Sequence, residues 1–288
     1  MKAASRLRSH LRDGGLLVAP GAYDGITARM VAQAGFGAVY MTGAGVSVAH
    51  GYPDYGLLTL TEMAEAAGVL ARSVDVPVIA DGDTGYGNEL NATRTVREYE
   101  MRGVAAIQIE DQVSPKRCGH LDGKEVIPRD EFAAKIAAAA AARRDPDFVL
   151  IARTDARAVA SLDEAVARMN LALEAGADVA FVEALQTLDE VAAVPRLVRG
   201  PCLLNIVPGG KTPDLPLADA AAMGYRIAIL PGLLLVAVMD SCDAALARLK
   251  QDGAAPSSAS GPLLRERFSR LGADEWDVLR RPLRRAAE

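Results

Sequence analysis

The segment VIADGDTGYG, residues 78–87, decides the fold, because it joins an apolar run to a polar loop. The run before Asp81 has the composition of a strand buried on both faces. Asp81 and Asp83 follow one residue apart, among glycines. Two carboxylates at a strand end suit Mg²⁺, which takes one or two carboxylates and keeps water and substrate oxygens as further ligands. Asp and Gly are also common in solvated turns, so the segment alone predicts either a metal-binding loop or a plain turn.

Apolar runs of this kind recur eight times and alternate with segments of helical periodicity. The apolar runs are residues 16–20, 38–42, 76–81, 105–110, 148–153, 179–183, 201–205 and 225–230. The helical patterns are residues 26–34, 60–73, 89–102, 129–144, 162–175, 188–197, 216–223 and 233–249. Eight strand–helix units predict an α/β fold, a (β/α)₈ TIM-type barrel formed by residues 1–250. A doubly wound sheet fits less well, because the Gly-rich dinucleotide turn after the first strand is missing.

The C-terminal residues 251–288 are not needed for a barrel. A polar linker at 254–261 precedes two amphipathic helical patterns at 262–271 and 273–285. An amphipathic helix needs a surface for its apolar face. We expect these helices to pack on the barrel or on a neighbouring subunit.

Composition and charge exclude several classes of protein. Half of the 288 residues are hydrophobic and the net charge is −5, without a basic tract for nucleic acid or an anionic membrane. No segment has the length and apolarity of a membrane span, and the N-terminus lacks a secretory signal. Cys118, Cys202 and Cys242 are too few and too widely spaced for a disulfide framework, which predicts a cytoplasmic protein.

Polar residues follow the predicted strands with unusual regularity. In barrel enzymes the chemistry lies at the C-terminal ends of the strands. The residues at these ends are Thr42, Asp81, Asp83, Glu110, Asp111, Arg153, Asp155, Glu183 and Asn205. A single one of them is compatible with an ordinary turn or cap, but burying so many at one rim for structure alone is costly. Acids beside Arg153 and a cation predict a site for an anionic, oxygen-rich substrate.

The connection after the fourth strand, residues 111–127, is too long for a minimal loop and is typical of a mobile lid. It carries Cys118 beside Lys116, Arg117 and His120. Cationic neighbours lower the pKa of a thiol from about 8.5 and make it reactive. A lone cysteine is more often inert, but the polar surroundings of Cys118 favour a functional thiol.

Three motifs resemble the isocitrate lyase/phosphoenolpyruvate mutase superfamily. They are TGAGVS at 42–47, GYPDYG at 51–56 and DGDTGYG at 81–87, and the resemblance covers about residues 17–249. The KRCGH motif at 116–120 is the most specific, and is similar to that of the carbon–carbon lyases for isocitrate, methylisocitrate and 2-alkylmalates. NIVPGGKTP at 205–213 is most similar to 2-alkylmalate (dimethylmalate) lyases and related oxaloacetate hydrolases.

The resemblance implies a Mg²⁺ site, with Mn²⁺ as a substitute. Asp81 and Asp83 would hold the ion, and Asp54 and Glu110 would help through its water shell. It also implies a homotetramer in which C-terminal helices are exchanged between subunits.

The resemblance further implies a substrate pocket. Backbone amides of Thr42, Gly43 and Ala44 would bind a carboxylate, Arg153 would pair with a carboxylate, and Glu183, Asn205 and Asp54 would complete the pocket. Cys118 would be the general acid. Lys116, Gly119 and His120 would close over the substrate.

Together these features predict a Mg²⁺-dependent carbon–carbon lyase. Its substrate would be a 2-hydroxy di- or tricarboxylate of the 2-alkylmalate or 2-methylisocitrate type, cleaved by a retro-aldol reaction to pyruvate, or another 2-oxo acid, and a carboxylic acid. Tyr40, Asp54 or a metal-bound hydroxide are the candidate bases.

Alternatives within the superfamily are oxaloacetate decarboxylation or hydrolysis and cleavage of a phosphorus–carbon bond. A non-enzymatic alternative is a barrel that binds a metabolite without converting it. Pro208 replaces a usual Glu, which puts the substrate in question, and Leu233 favours an apolar substituent over oxaloacetate.

Overall fold

The structure is a computed structural model that describes residues 2–254 and 264–285. Eight parallel strands pair in chain order, and β1 pairs with β8 to close the barrel. The strands are β1 Leu17–Ala22, β2 Val39–Met41, β3 Val78–Asp81, β4 Ala106–Glu110, β5 Val149–Thr154, β6 Val179–Val182, β7 Cys202–Asn205 and β8 Ile227–Leu230. The predicted (β/α)₈ fold is therefore confirmed, with strand boundaries shifted by a few residues.

The other elements are helices. Along the described residues they are α1 Ala3–Asp13, α2 Gly25–Gln33, α3 Gly43–Ala49, α4 Leu60–Ser73, α5 Glu89–Met101, α6 Arg129–Ala142, α7 Ala156–Val159, α8 Leu162–Glu174, α9 Leu188–Leu197, α10 Leu217–Met223, α11 Leu233–Asp252, α12 Leu264–Ser269 and α13 Ala273–Arg285. Side-chain caps begin several of them. Thr59 accepts from the amide of Glu62 at the start of α4, and Asn88 accepts from the amide of Asn91 at the start of α5.

Two apolar layers follow from the alternation of side chains along each strand. Within β3, Ile79 points into the barrel, whereas Val78 and Ala80 pack under the helices. Both faces are buried, which explains why the strands are apolar throughout rather than alternating with polar residues.

Helix α1 closes the N-terminal end of the barrel and was not predicted. Ala4 and Leu7 join the interior layer. Arg8 donates to Asp178 at 2.8 Å and to the carbonyl of Phe148 at 2.9 Å. These contacts fix the end of the barrel opposite to the polar rim.

The chain divides into two compact units. Residues up to Leu235 form the first, which contains the barrel, and residues from Val236 form the second. The predicted division after residue 250 stays a prediction. Helices α12 and α13 agree with the two predicted C-terminal helices, while residues 255–263 of the predicted linker and helix start lie outside the described residues. None of the helices in the described ranges has the length and apolarity needed to cross a membrane.

Candidate active site

A pocket opens at the C-terminal ends of the strands and collects most of the predicted residues. Its lining includes Thr42, Ala44, Asp54, Asp81, Lys116, Cys118, Gly119, His120, Arg153, Glu183 and Asn205. Gly43, Asp83 and Glu110 lie directly behind this lining and contact it, as described below. The barrel therefore brings together the residues for which a catalytic, substrate-binding or metal-binding role was predicted.

Asp81 and Asp83 form the acidic part of the pocket floor. Asp81 is the last residue of β3, and one of its oxygens accepts from the amide of Asp83 at 3.0 Å. Both are nearly buried, at 5% and 6% exposure. Burial, with the nearby charge of Asp83, raises the pKa of Asp81 to about 6. A cation bound here would offset that cost and keep Asp81 ionised.

Glu110 lies behind these aspartates at the end of β4 and is fully buried. Neither of its carboxylate oxygens accepts a hydrogen bond, and nor does Oδ1 of Asp83, although Arg153 and Lys116 lie at ion-pair distance from Glu110 and Asp83. Buried polar atoms are rarely left without partners, because the cost is high. These oxygens fit the hard cation, with its shell of water, that the sequence predicts.

The carboxylates do not form a ready-made cage. Among the described residues, no three acid, His or Cys side chains converge closely enough to hold an ion by themselves. Lys116 Nζ is 3.0 Å from Asp83 Oδ1 and also bonds Asp54, so an ammonium balances the acids. The donor set therefore suits Mg²⁺ held by one or two carboxylates and water, rather than an ion enclosed by protein ligands.

Helix α3 supplies the predicted carboxylate-binding amides. Thr42 is its N-cap and accepts from the amide of Gly45 at 3.3 Å. The first amides of a helix have no partner inside it, so those of Gly43 and Ala44 are suited to an anion. A Cβ at Gly43 would lie 2.7 Å from Asp81 Oδ2, so only glycine lets the helix start beside this predicted metal ligand.

Arg153, at the end of β5, is held from several sides. Its Nε donates to Asp155 at 2.9 Å, its Nη1 is 3.3 Å from Glu110, and its guanidinium carbon lies 5.3 Å from the centre of the Phe181 ring. Burial alone would lower the pKa of Arg153, but the charges of Asp155 and Glu110 raise it well above its ordinary value. Arg153 is thus a fixed positive charge in the pocket wall.

Glu183, at the end of β6, is fully buried beside Arg153 and His120. Burial alone would raise the pKa of Glu183, but Arg153 and then His120 outweigh it and lower that pKa to about 2. Asn205 Nδ2 also donates to it at 3.1 and 3.2 Å. Glu183 is therefore a carboxylate under all ordinary conditions.

The lid, residues 111–127, is closed at its base and covers the pocket with its tip, residues 114–124. Gln112 and Val126 form an antiparallel bridge at the base. In the tip, the amide of Cys118 donates to the carbonyl of Asp54 at 3.2 Å. A Cβ at Gly119 would overlap Arg153 and Glu183, so glycine is required for the tip to approach them.

His120 joins the lid to the loop after β7. Its Nδ1 accepts from the amide of Lys211 at 3.0 Å, which places the ring proton on Nε2. Nε2 lies 2.8 Å from Glu183 and donates to it. The hydrogen bonds therefore fix both the tautomer and the orientation of the ring.

The pKa of the Cys118 thiol shifts in the direction opposite to the predicted one. The sequence predicted a lowered pKa, but burial raises the pKa of Cys118, and the charges of Asp54 and Glu183 act in the same direction. The His120 amide and Arg153 oppose this shift only in part. The thiol therefore keeps its proton at neutral pH, as a general acid requires.

Two of the proposed bases differ in their surroundings. Tyr40 is buried, and its hydroxyl donates to Gln108 at 3.1 Å. Burial and the charge of Asp81 raise the pKa of Tyr40 well above its ordinary value, which removes it as a base. Asp54 borders the pocket and bonds Lys116, so it remains the protein candidate.

Several contributors to the site were missed from the sequence. Lys124 is buried, bonds the carbonyl of Gly119 and lies 3.2 Å from Asp155. Val207, Pro231 and Leu235 form an apolar part of the wall. Leu233, which the sequence linked to an apolar substituent, is 46% exposed and outside the lining, whereas Leu235 belongs to the lining.

Pro208 replaces an acid in the resembling lyases, but it is exposed and outside the lining. The pocket thus keeps its charged groups despite this substitution. The glycines at 209 and 210 were the available signal for a loop that approaches the lid, since a Cβ at Gly210 would lie 2.7 Å from His120 Nδ1.

Comparison with known proteins places the chain in a family. The model of the phosphoenolpyruvate phosphomutase family matches residues 7–250. A 2,3-dimethylmalate lyase of Eubacterium barkeri is 48% identical over 232 residues, covering 80% of each chain. A 2-methylisocitrate lyase of Aeropyrum pernix is 43% identical over 247 residues, covering 86% of this chain and 80% of the relative.

Solved structures agree with the sequence comparison. An oxaloacetate acetylhydrolase in complex with 3,3-difluorooxalacetate superposes with a TM-score of 0.94 at 37% identity, covering 98% of this chain and 97% of the other. The resemblance seen in the motifs is thereby confirmed over nearly the whole barrel. The chain belongs to the phosphoenolpyruvate mutase/isocitrate lyase superfamily, as an enzyme of its carbon–carbon lyase branch.

Proposed function

We propose that the protein is a Mg²⁺-dependent lyase that cleaves a 2-alkylmalate to a 2-oxo acid, pyruvate for a 2-methyl substrate, and a second carboxylic acid. The observation that carries the proposal is a single pocket in which a protonated thiol, Cys118, faces the acids of the β3 end and Arg153. The 48% identity to a 2,3-dimethylmalate lyase supports the same assignment.

Charge matching supports a dicarboxylate over a tricarboxylate. Lys116 and Arg153 are the permanent cations among the lining residues, and both already face protein carboxylates. The wall of Val207, Pro231 and Leu235 offers no partner for a third carboxylate but suits an alkyl substituent. A buried charge without a partner is costly, so a 2-alkylmalate fits better than 2-methylisocitrate.

Asp81 and Asp83 are the residues that would hold Mg²⁺, with Glu110 and Asp54 contacting its water shell. When bound, the ion supplies Lewis-acid polarisation of the substrate hydroxyl and the adjacent carboxylate. The amides of Gly43 and Ala44 would orient that carboxylate at the start of α3.

Bond cleavage then requires one base and one acid. A base, for which Asp54 is the protein candidate, takes the proton of the 2-hydroxyl. The C2–C3 bond breaks, its electron pair stays on C3, and the Cys118 thiol gives C3 a proton. Arg153 pairs with the carboxylate over which the developing negative charge spreads. The closed lid keeps water away from the carbanion.

The test is release of a 2-oxo acid, followed with lactate dehydrogenase and NADH, with products identified by mass spectrometry. The panel is 2,3-dimethylmalate, 2-ethylmalate, 2-methylisocitrate, isocitrate and oxaloacetate. We expect the highest kcat/KM for a 2-alkylmalate, and loss of turnover with EDTA that Mg²⁺ or Mn²⁺ restores. A preference for a tricarboxylate, or for oxaloacetate with oxalate as product, would contradict the proposal.

The predicted homotetramer belongs to the same proposal. Exposed apolar side chains on α12 and α13 support it, since Leu264, Phe268 and Trp276 are 70%, 53% and 74% exposed in the single chain. Large exposed apolar surfaces usually mark an interface. Light scattering after size exclusion should give four times the chain mass, whereas a monomer would contradict it. The cytoplasmic location remains a prediction.

A further inference from the structure

The metal loop, residues 81–87, has a backbone that needs support from its surroundings. Asp83 and Tyr86 adopt φ angles of 45° and 62°, in the left-handed region that side chains other than glycine rarely occupy. Gly85 and Gly87 between and after them have φ angles of 77° and 146°. Such conformations persist when neighbouring groups hold them in place.

Four carbonyl oxygens of the metal loop accept hydrogen bonds from donors outside it. The carbonyl of Asp81 accepts from Tyr99 Oη at 2.9 Å, and that of Gly85 accepts from Thr95 Oγ1 at 3.1 Å, both from α5. The carbonyl of Asp83 accepts from the amide of Glu110 at 2.9 Å. The carbonyl of Thr84 accepts from Lys135 Nζ at 2.9 Å, from α6.

Lys135 is the unusual member of this set. It is 5% exposed, and among the described residues no carboxylate lies within ion-pair distance of its ammonium group, not even Glu131 one turn earlier in α6. Burial lowers the pKa of Lys135 accordingly. A buried ammonium without a carboxylate destabilises a fold, and an apolar side chain would fill the same space at less cost. The contact that the charge does make is with the residue next to Asp83.

We propose that Lys135 is a positioning residue for the cation site, which fixes the carbonyl of Thr84 and thereby presents the carboxylate of Asp83. Thr95 has the same role for Gly85, with a neutral hydrogen bond. The inference rests on the proposed function only in that Asp81 and Asp83 bind a divalent cation. Neither Lys135 nor Thr95 lines the substrate pocket, so neither contacts the reacting atoms.

The test is the dissociation constant of Mn²⁺ for the full-length protein, measured from the electron paramagnetic resonance signal of free Mn²⁺. Partners behind metal ligands typically contribute about 10- to 100-fold in affinity, and we expect a weakening in that range for Lys135→Met. The exposed Lys250→Met is the matched control and should bind as the wild type does. At saturating Mn²⁺, turnover of Lys135→Met should return to within a few-fold of wild type.

A purely structural role for Lys135 predicts a different pattern, in which the Tm falls and the Mn²⁺ dissociation constant stays the same. That pattern would overturn the proposal, as would a wild-type protein that does not bind Mn²⁺. Thr95→Val removes one hydroxyl at nearly constant shape and provides the test if Lys135→Met does not fold. We expect it to weaken Mn²⁺ binding several-fold, and unchanged binding would overturn the proposal. Because the Mn²⁺ binding measurement uses no substrate, failure of the lyase assay alone leaves the binding result interpretable.

Discussion

The metal loop and the lid tip both border one pocket and are held by different kinds of contact. The metal loop is fixed through its backbone carbonyls by donors from α5, β4 and α6, and of these donors only Glu110 on β4 also has a proposed role at the site. The lid tip is held mainly through side chains, and several of its partners are the functional groups themselves. Lys116 pairs with Asp54 and Asp83, and His120 pairs with Glu183.

The two kinds of contact respond differently when ligands bind in the pocket. A cation competes with Lys116 for Asp83, and a dianionic substrate competes with Asp54 and Glu183 for Lys116 and His120, so binding at the site changes what holds the tip. Nothing that binds in the pocket competes for the bonds behind the metal loop. We infer that the metal loop is preorganised and that the lid tip carries the acid into and out of place.

The largest effect should come from the acid itself. In Cys118→Ser the hydroxyl is a far weaker acid than the thiol, so we expect kcat to fall by about 10²–10⁴-fold, the usual contribution of general acid catalysis. The dissociation constant for Mn²⁺ should stay unchanged, because the metal loop is fixed independently. Steady-state kinetics measures kcat, and Mn²⁺ titration measures the dissociation constant. Turnover close to wild type would refute the acid role.

The second effect concerns Lys124, which holds the lid tip from inside the protein. Lys124→Met removes the bonds to the Gly119 carbonyl and to Asp155. A hydrogen bond to a charged group contributes about 1.5–3 kcal/mol, so we expect kcat/KM to fall about 10- to 100-fold. Exposed Lys250→Met is the control for loss of a charge. Weakened Mn²⁺ binding in Lys124→Met would mean that the two loops are not independent.

A third effect is the pH dependence of the thiol. Because the pKa of Cys118 is raised above its ordinary value, the thiolate is the minor form at pH 8, and its fraction grows as the pH rises. Alkylation of Cys118 by iodoacetamide should therefore be slower than that of exposed Cys242 at pH 8, and should accelerate about tenfold per pH unit until the raised pKa is reached. Peptide mass spectrometry reports both sites. A rate that levels off below pH 8 would contradict a buried, protonated thiol.

The smallest effect should come from the ion pair between Lys211 and Asp122, which we call the outer latch of the lid tip. Lys211 Nζ bonds Asp122, whose side chain is 94% exposed. Exposed ion pairs contribute little and are screened by salt, so Asp122→Asn should change kcat/KM by less than about fivefold. Kinetics at low and high salt measure this. A larger loss would show that the outer latch, rather than Lys124, holds the tip.

The sequence predicted the barrel and the rim residues well, because strand ends in a parallel barrel converge wherever the chain leaves the sheet. It could not predict the direction of the Cys118 pKa, because neighbours in sequence are not its neighbours in space. Lys116 turns to Asp54 and Asp83, and Arg117 lies over the Tyr55 ring at 5.7 Å. Burial and two carboxylates therefore decide the shift, which the His120 amide and Arg153 oppose only in part.

Contacts that depend on tertiary packing were equally impossible to predict from the sequence. The bonds from Lys135 to Thr84 and from Lys124 to Gly119 depend on how α6 and the lid pack, which no local pattern records. Helix α1 was missed because its basic residues obscure the spacing of Ala4, Leu7 and Leu11, which pack on the interior layer.

Hydrogen–deuterium exchange tests the contrast between the two loops most directly. In the protein without ligands, peptides covering residues 82–87 should exchange slowly, while peptides covering 116–123 should exchange faster. Addition of Mg²⁺ and pyruvate should slow exchange in the lid tip and leave the metal loop nearly unchanged. Equal protection of both segments in the protein without ligands would contradict a preorganised metal loop and a lid tip that moves with Cys118. Protection of the metal loop only after ligand binding would contradict it as well.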